Sequence, residues 1–147
     1  MKAERVGPWL LALGGIFLML MGLYFAFIRP PLLPEDLRYI GSSAIRLQHE
    51  IPRLQSWLAR VFVVLGGYIF ATGLLTFHVA ISGLRNRQPL PRVVVAASGL
   101  ASIGCMAIIN ILIDSDYKWL LLAMTVPWLI ALLPPRSFAR PASSLKP

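Results

Sequence analysis

Three stretches of this chain, about Trp9 to Ile28, Val61 to Leu84 and Val93 to Ile113, contain no Asp, Glu, Lys or Arg. A helix rises 1.5 Å per residue, so roughly 20 apolar residues cover a hydrocarbon core about 30 Å thick. Each stretch is long enough to cross a bilayer. A fourth, about Tyr117 to Leu133, is shorter and contains Pro127, which removes a backbone donor and tends to kink a helix; Pro134 and Pro135 end it. The expected fold class is an all-α membrane protein: a single transmembrane domain over 1–147, with four helices in a compact antiparallel bundle.

Orientation follows from the basic residues, which cytoplasmic loops retain in excess. Four spans put Lys2, Arg5, Arg85, Arg87, Arg92, Arg136, Arg140 and Lys146 on one side, against Glu4 alone. The other side carries Arg29, Arg38, Arg46, Arg53, Arg60 and Lys118, offset by Glu35, Asp36, Glu50, Asp114 and Asp116. Both termini, and the tail 134–147, are therefore expected in the cytoplasm, with the loop 29–60 outside. Lys2 and Arg5 before an apolar run resemble a secretory signal, but no A-x-A-like site follows, so the first helix is read as a retained anchor. Trp9, Tyr117 and Trp119 fall near span ends, where aromatic rings suit the headgroup layer.

Composition removes several function classes. With 57 % hydrophobic residues and basic groups that punctuate apolar runs, the net charge of +8 reads as topology, and a nucleic-acid partner is not expected. Cys105 is the only cysteine, so no intramolecular disulfide or CxxC redox pair can form. His49 and His78 fall in different kinds of segment, which argues against a bis-histidine haem; His78, near the inner end of the second span, is read as an interfacial histidine. No cofactor or metal is implied, and no catalytic residue stands out. Carboxylates on the outer loops could act as acids or bases only with suitable geometry.

The outer loop has its own patterning. Pro34, Glu35 and Asp36 form a good helix start, since proline suits the first turn and acids complement the helix dipole, and Gly41 can end that helix. Ser42 or Ser43 can cap a second helix, in which Leu47, Ile51, Leu54, Leu58 and Val61 recur on one face, with Pro52 breaking or restarting it. An interfacial amphipathic element leading into the second span is expected. The plain role for the loop is a lid resting on the bundle mouth; partner docking or ligand covering is the functional alternative.

Polar residues nearby define a candidate ligand site. Asn110 is the most polar residue well inside a span, and its amide is expected to seek a partner on another helix, with Tyr24, Tyr68 and Thr72 at comparable depth. Asp114 follows one turn outward on the same face. Asn110, Asp114, Asp116, Glu35, Asp36, Arg38 and Tyr68 could line an outward-facing cleft for a small lipid-soluble or cationic ligand. The competing structural role is that Asp114, Ser115 and Asp116 cap the last helix while Asn110 ties two helices together. Small residues, among them Gly14, Gly15, Gly22, Gly66, Gly67, Ala71, Gly73, Ala97, Ala101 and Gly104, favour close helix packing within the chain, with self-association or another membrane protein as further uses.

The strings Leu33-Pro34-Glu35-Asp36-Leu37-Arg38, Gly66-Gly67-Tyr68, Ala71-Thr72-Gly73 and Ser115-Asp116-Tyr117-Lys118-Trp119-Leu120 resemble those of small four-helix bacterial inner-membrane proteins of unknown function. The likeness covers most of the chain. It implies architecture and compartment and carries no chemistry. The expected role is an accessory or interaction subunit without catalytic chemistry of its own, a ligand binder or carrier being the alternative.

Overall fold

The computed structural model describes residues 3–82 and 89–132, and every regular element among them is helical. In order these are α1 (Ala3–Phe27), α2 (Pro34–Ile40), α3 (Ala44–Glu50), α4 (Leu54–Ser82), α5 (Pro89–Gly99), a π-helical turn (Leu100–Gly104), α6 (Cys105–Leu112) and α7 (Lys118–Leu132). Three helices are long and apolar enough to span a membrane: Gly7–Phe27, Leu54–Ser82 and the continuous α5–π–α6 stretch Val93–Leu112. The basic loop around Arg85 and Arg87, expected on the inner side, residues 83–84 of the second expected span, and the tail from Leu133 lie outside the described residues.

Glycine sets the closest approach in the molecule. α1 runs antiparallel to α4, with Gly15 against Gly73 and Gly22 against Gly66. A Cβ on Gly22 would stand 2.7 Å from Gly66 O, and one on Gly73 would stand 2.6 Å from Gly15 O. The backbones thus touch at two levels. On each helix the paired glycines are seven residues apart, two turns of a helix, so both fall on one seam. Lipid supplies no hydrophobic drive between helices, so van der Waals contact of this kind has to hold them.

Around that seam the buried core draws on all three apolar spans and on α7: Leu11 and Leu18 from α1, Ala80 from α4, Val95 from α5, Ile103 from the π turn and Trp128 from α7. Trp128 is wedged between α1 and α5, its ring atoms 3.2 Å from a Cβ placed on Gly14 and 2.5 Å from one placed on Gly99. Among the described residues its indole N–H has no hydrogen-bond partner. Directly after Gly99 the helix widens into the π turn, and Ser102 Oγ donates to Ser98 O at 2.6 Å across the junction. α7 continues through position 127 without a break and packs against α1, α5 and α6.

The loop 29–60 folds largely as its patterning predicts. Gly41 ends α2 in the left-handed region (φ 70°), with its own N–H bonded to Arg38 O and that of Ser42 to Leu37 O, the paired closure of a Schellman motif. Ser43 Oγ accepts from Arg46 N and caps α3. The amphipathic stretch breaks at Pro52, as expected, into two helices: α3 stops at Glu50, Ile51 and Pro52 turn the chain, and α4 starts at Leu54, seven residues before the apolar run. Proline cannot donate to the preceding turn, so the helix restarts beyond it.

Candidate functional site

Arg29, the first residue beyond α1 and Ile28, organises the end of the molecule that carries the loop 29–60. Its guanidinium carbon lies 3.8 Å from the Phe62 ring centroid on α4 and 5.4 Å from that of Phe25 on α1. Cation–π contact of this geometry is strongest where water is excluded, and the Arg29 side chain is largely buried. From there Nη2 donates to Asp36 Oδ2 at 3.1 Å and Nη1 to Pro30 O at 3.0 Å. Asp36 Oδ2 also accepts from Leu33 N at 2.9 Å, so one carboxylate both caps α2 and ties it to the seam between α1 and α4.

The opposite side of α2 reaches the link between α6 and α7. Glu35 is only 3 % exposed, and its Oε1 accepts from Ser115 Oγ at 3.2 Å; Ser115, at 1 % exposed, in turn accepts from Tyr117 N. One turn later Arg38 Nη2 donates to Asp116 Oδ1 at 2.8 Å, in water. That hydrogen bond, with the charge of Asp116, raises the Arg38 pKa above its ordinary value. Spacing of three on a short helix places Glu35 and Arg38 on one face, where both meet consecutive residues of the link.

The link is shaped to receive them. Asp114 adopts φ 53°, the one positive φ outside glycine among the described residues. Its N–H bonds to Ile111 O and that of Ser115 to Asn110 O, a second Schellman closure, with aspartate where glycine is usual. Asp114 also pairs with Lys118, four residues on and the first residue of α7. The hydrogen bond from Lys118, reinforced by its charge, lowers the Asp114 pKa below the usual carboxylate range.

Of the seven candidate ligand residues, Glu35, Asp36, Arg38, Asp114 and Asp116 come together here, and each is engaged by another group of the chain. Among the described residues Asn110 makes no hydrogen bond to another helix: its Nδ2 donates to Met106 O at 2.9 Å, within its own helix. The carbonyl four residues back is always within reach of a short polar side chain, and satisfies it without a neighbour. Thr72 does the same with Tyr68 O. Tyr68 stands apart on α4, 70 % exposed. Arg29 and Ser115, absent from the candidate set, are the two residues that knit the cluster. Among the described residues no three His, Cys, Asp or Glu side chains converge as a metal site.

Physically the arrangement is a clasp. Arg29–Asp36 fastens α2 to α1 and α4, and Glu35–Ser115 with Arg38–Asp116 fastens it to the α6–α7 link. Comparison of the chain with protein-family models, curated proteins and solved structures returned no match. The fold and this clasp define a multi-pass helical membrane protein with a docked loop helix.

Proposed function

We propose that the chain is a four-span protein of the bacterial inner membrane, with both termini cytoplasmic, that serves as a non-catalytic interaction subunit and binds another transmembrane helix through the outward face of α4. The observation that carries this reading is the division of small residues on α4. Gly66 and Gly73 are consumed by contact with α1, whereas Gly67 and Ala71 lie on the exposed face, and a Cβ on Gly67 would meet nothing within 4 Å. Tyr68 sits beside them, presenting a phenol among apolar side chains. A small-xxx-small pair beside a polar side chain suits close approach by a second helix.

Support for α7 as the fourth span comes from its packing against α1, α5 and α6. Its 15 described residues would extend about 22 Å, so a full crossing also draws on flanking residues. The cytoplasmic assignment of both termini rests on the eight basic residues against one acid on that side.

The test is affinity purification of the full chain in mild detergent. A stoichiometric membrane partner is expected with the wild type and lost in a Gly67→Leu, Ala71→Leu variant whose melting temperature is unchanged. Recovery of the isolated chain alone across several detergents refutes the reading.

A further inference from the structure

From α3 into the first turns of α4, large apolar side chains stand exposed outside the apolar runs: Ile45 is 84 % exposed, Trp57 60 %, and Ile51 about half. Leu47 alone anchors α3, as its one buried residue. Interleaved with them are Arg46, Arg53 and Arg60, all exposed. None of the three pairs with a carboxylate among the described residues, whereas Arg29 and Arg38 on the same side both do. Glu50 is the one acid between residues 44 and 60. Arg46 also borders an open groove of about 430 Å³ that it shares with Leu37, Arg38, Gly41, Ser42 and Ser43.

The length of α4 gives this surface its depth. Its 29 residues extend about 43 Å, more than the roughly 30 Å hydrocarbon core. Since the apolar run starts at Val61, Leu54–Arg60 adds about 10 Å on the loop side, close to the thickness of a headgroup layer. Arginine stems can lie along apolar surface while the guanidinium forks reach phosphate oxygens, and isoleucine and tryptophan suit the level just beneath.

We propose that this surface binds the anionic phospholipid headgroups of the protein's own bilayer, with Arg46, Arg53 and Arg60 on phosphates and Ile45, Ile51 and Trp57 inserted below them. Charge complementarity selects the occupant: three unpaired guanidiniums against one carboxylate match a negative surface. The inference rests on the membrane reading and is independent of the proposed partner helix on α4.

The test uses the full chain in nanodiscs of phosphatidylcholine, or of phosphatidylcholine with one third phosphatidylglycerol on the same acyl chains. Anionic lipid is expected to raise the wild-type melting temperature on the order of 3 °C or more, less so at 0.5 M salt. An Arg46→Gln, Arg53→Gln, Arg60→Gln variant should match the wild type in phosphatidylcholine and lose the rise. An equal rise in wild type and variant, or none in the wild type, overturns the proposal. So does an equal gain from inorganic phosphate added to phosphatidylcholine discs, which would assign the arginines to a soluble anion. Should the triple variant not fold, Ile45→Cys in a Cys105→Ser background, labelled with a polarity-sensitive fluorophore, gives a second readout. A blue shift in anionic over neutral discs is expected; an aqueous spectrum in every disc means that lipid does not cover this surface and overturns the proposal.

Discussion

Alanine at Gly66 would place a methyl carbon 2.5 Å from Gly22 O, 2.7 Å from Ala26 N and 2.9 Å from Ala26 Cβ. Non-bonded carbon normally keeps about 3.3 Å or more from a carbonyl oxygen and 3.5 to 4.0 Å from another carbon. The α1 and α4 backbones must therefore separate by roughly 0.8 Å at that level, and the Gly15–Gly73 contact two turns away shares the strain. Overpacking of this size costs about 1–3 kcal/mol, which lowers the folded-to-unfolded ratio by roughly 5- to 150-fold. Gly67, the next residue, points away from α1 with nothing within 4 Å, so Gly67→Ala meets no clash and gains the better helix propensity of alanine, up to about 1 kcal/mol. Reversible unfolding in mixed micelles of mild detergent and dodecyl sulfate measures both variants. Gly66→Ala should unfold at lower dodecyl sulfate fraction than the wild type, and Gly67→Ala at the same fraction or higher. Equal destabilisation of the two would refute the assigned faces, and with them the α1–α4 seam.

Other substitutions probe the remaining contacts by the same unfolding assay. Trp128→Phe removes a buried N–H that has no partner among the described residues, so it should fall within about 1 kcal/mol of the wild type, whereas Trp128→Ala should lose about 3–5 kcal/mol. Asn110→Ala should be near neutral, because the amide serves a carbonyl of its own helix; a loss above about 2 kcal/mol would reveal an interhelical bond. Glu35→Ala should cost about 1–2 kcal/mol and loosen the loop, seen as faster hydrogen exchange in α2, while Glu35→Gln keeps an acceptor for Ser115 and largely restores protection. Asp114, whose pKa is lowered by Lys118, contributes stability that is complete above the unfolded carboxylate value near 4 and is lost as pH falls through the folded value. The Asp114→Asn difference in melting temperature should thus be constant from pH 8 to about 5 and shrink only below about 4.

Local chemistry made much of the loop 29–60 legible. Pro34, Asp36, Gly41, Ser43 and Pro52 act through turns and caps that span a few residues, so their roles can be read without knowing the fold. The seam was half legible. The recurrence of glycine at 15 and 22, and at 66 and 73, is visible in one dimension, but the choice of Gly66 over Gly67 depends on where α1 lies. The π turn at Leu100–Gly104 and the wedge of Trp128 have no local signature, since both answer to packing between distant helices.

The candidate site was legible as a neighbourhood and not as a set of pairings. Acids clustered at 35–36 and 114–116 pointed to one end of the molecule, yet Ser115, neutral between two aspartates, carries the buried bond to Glu35. Arg29 could have been found by its position directly after an apolar run and seven residues before Asp36. Asn110 misled because a buried amide invites a long-range partner, while its own helix offered a nearer one.

Topology tests the four-span reading most directly. In a Cys105→Ser background, single cysteines at Ile45, Tyr117, Arg87 and Ser143 can be labelled in intact cells with a membrane-impermeant maleimide. Positions 45 and 117, joined through the clasp between α2 and the α6–α7 link, should label from outside, and positions 87 and 143 only after permeabilisation. Labelling of position 143 in intact cells would make α7 a non-crossing helix, and opposite behaviour of 45 and 117 would contradict the clasp itself.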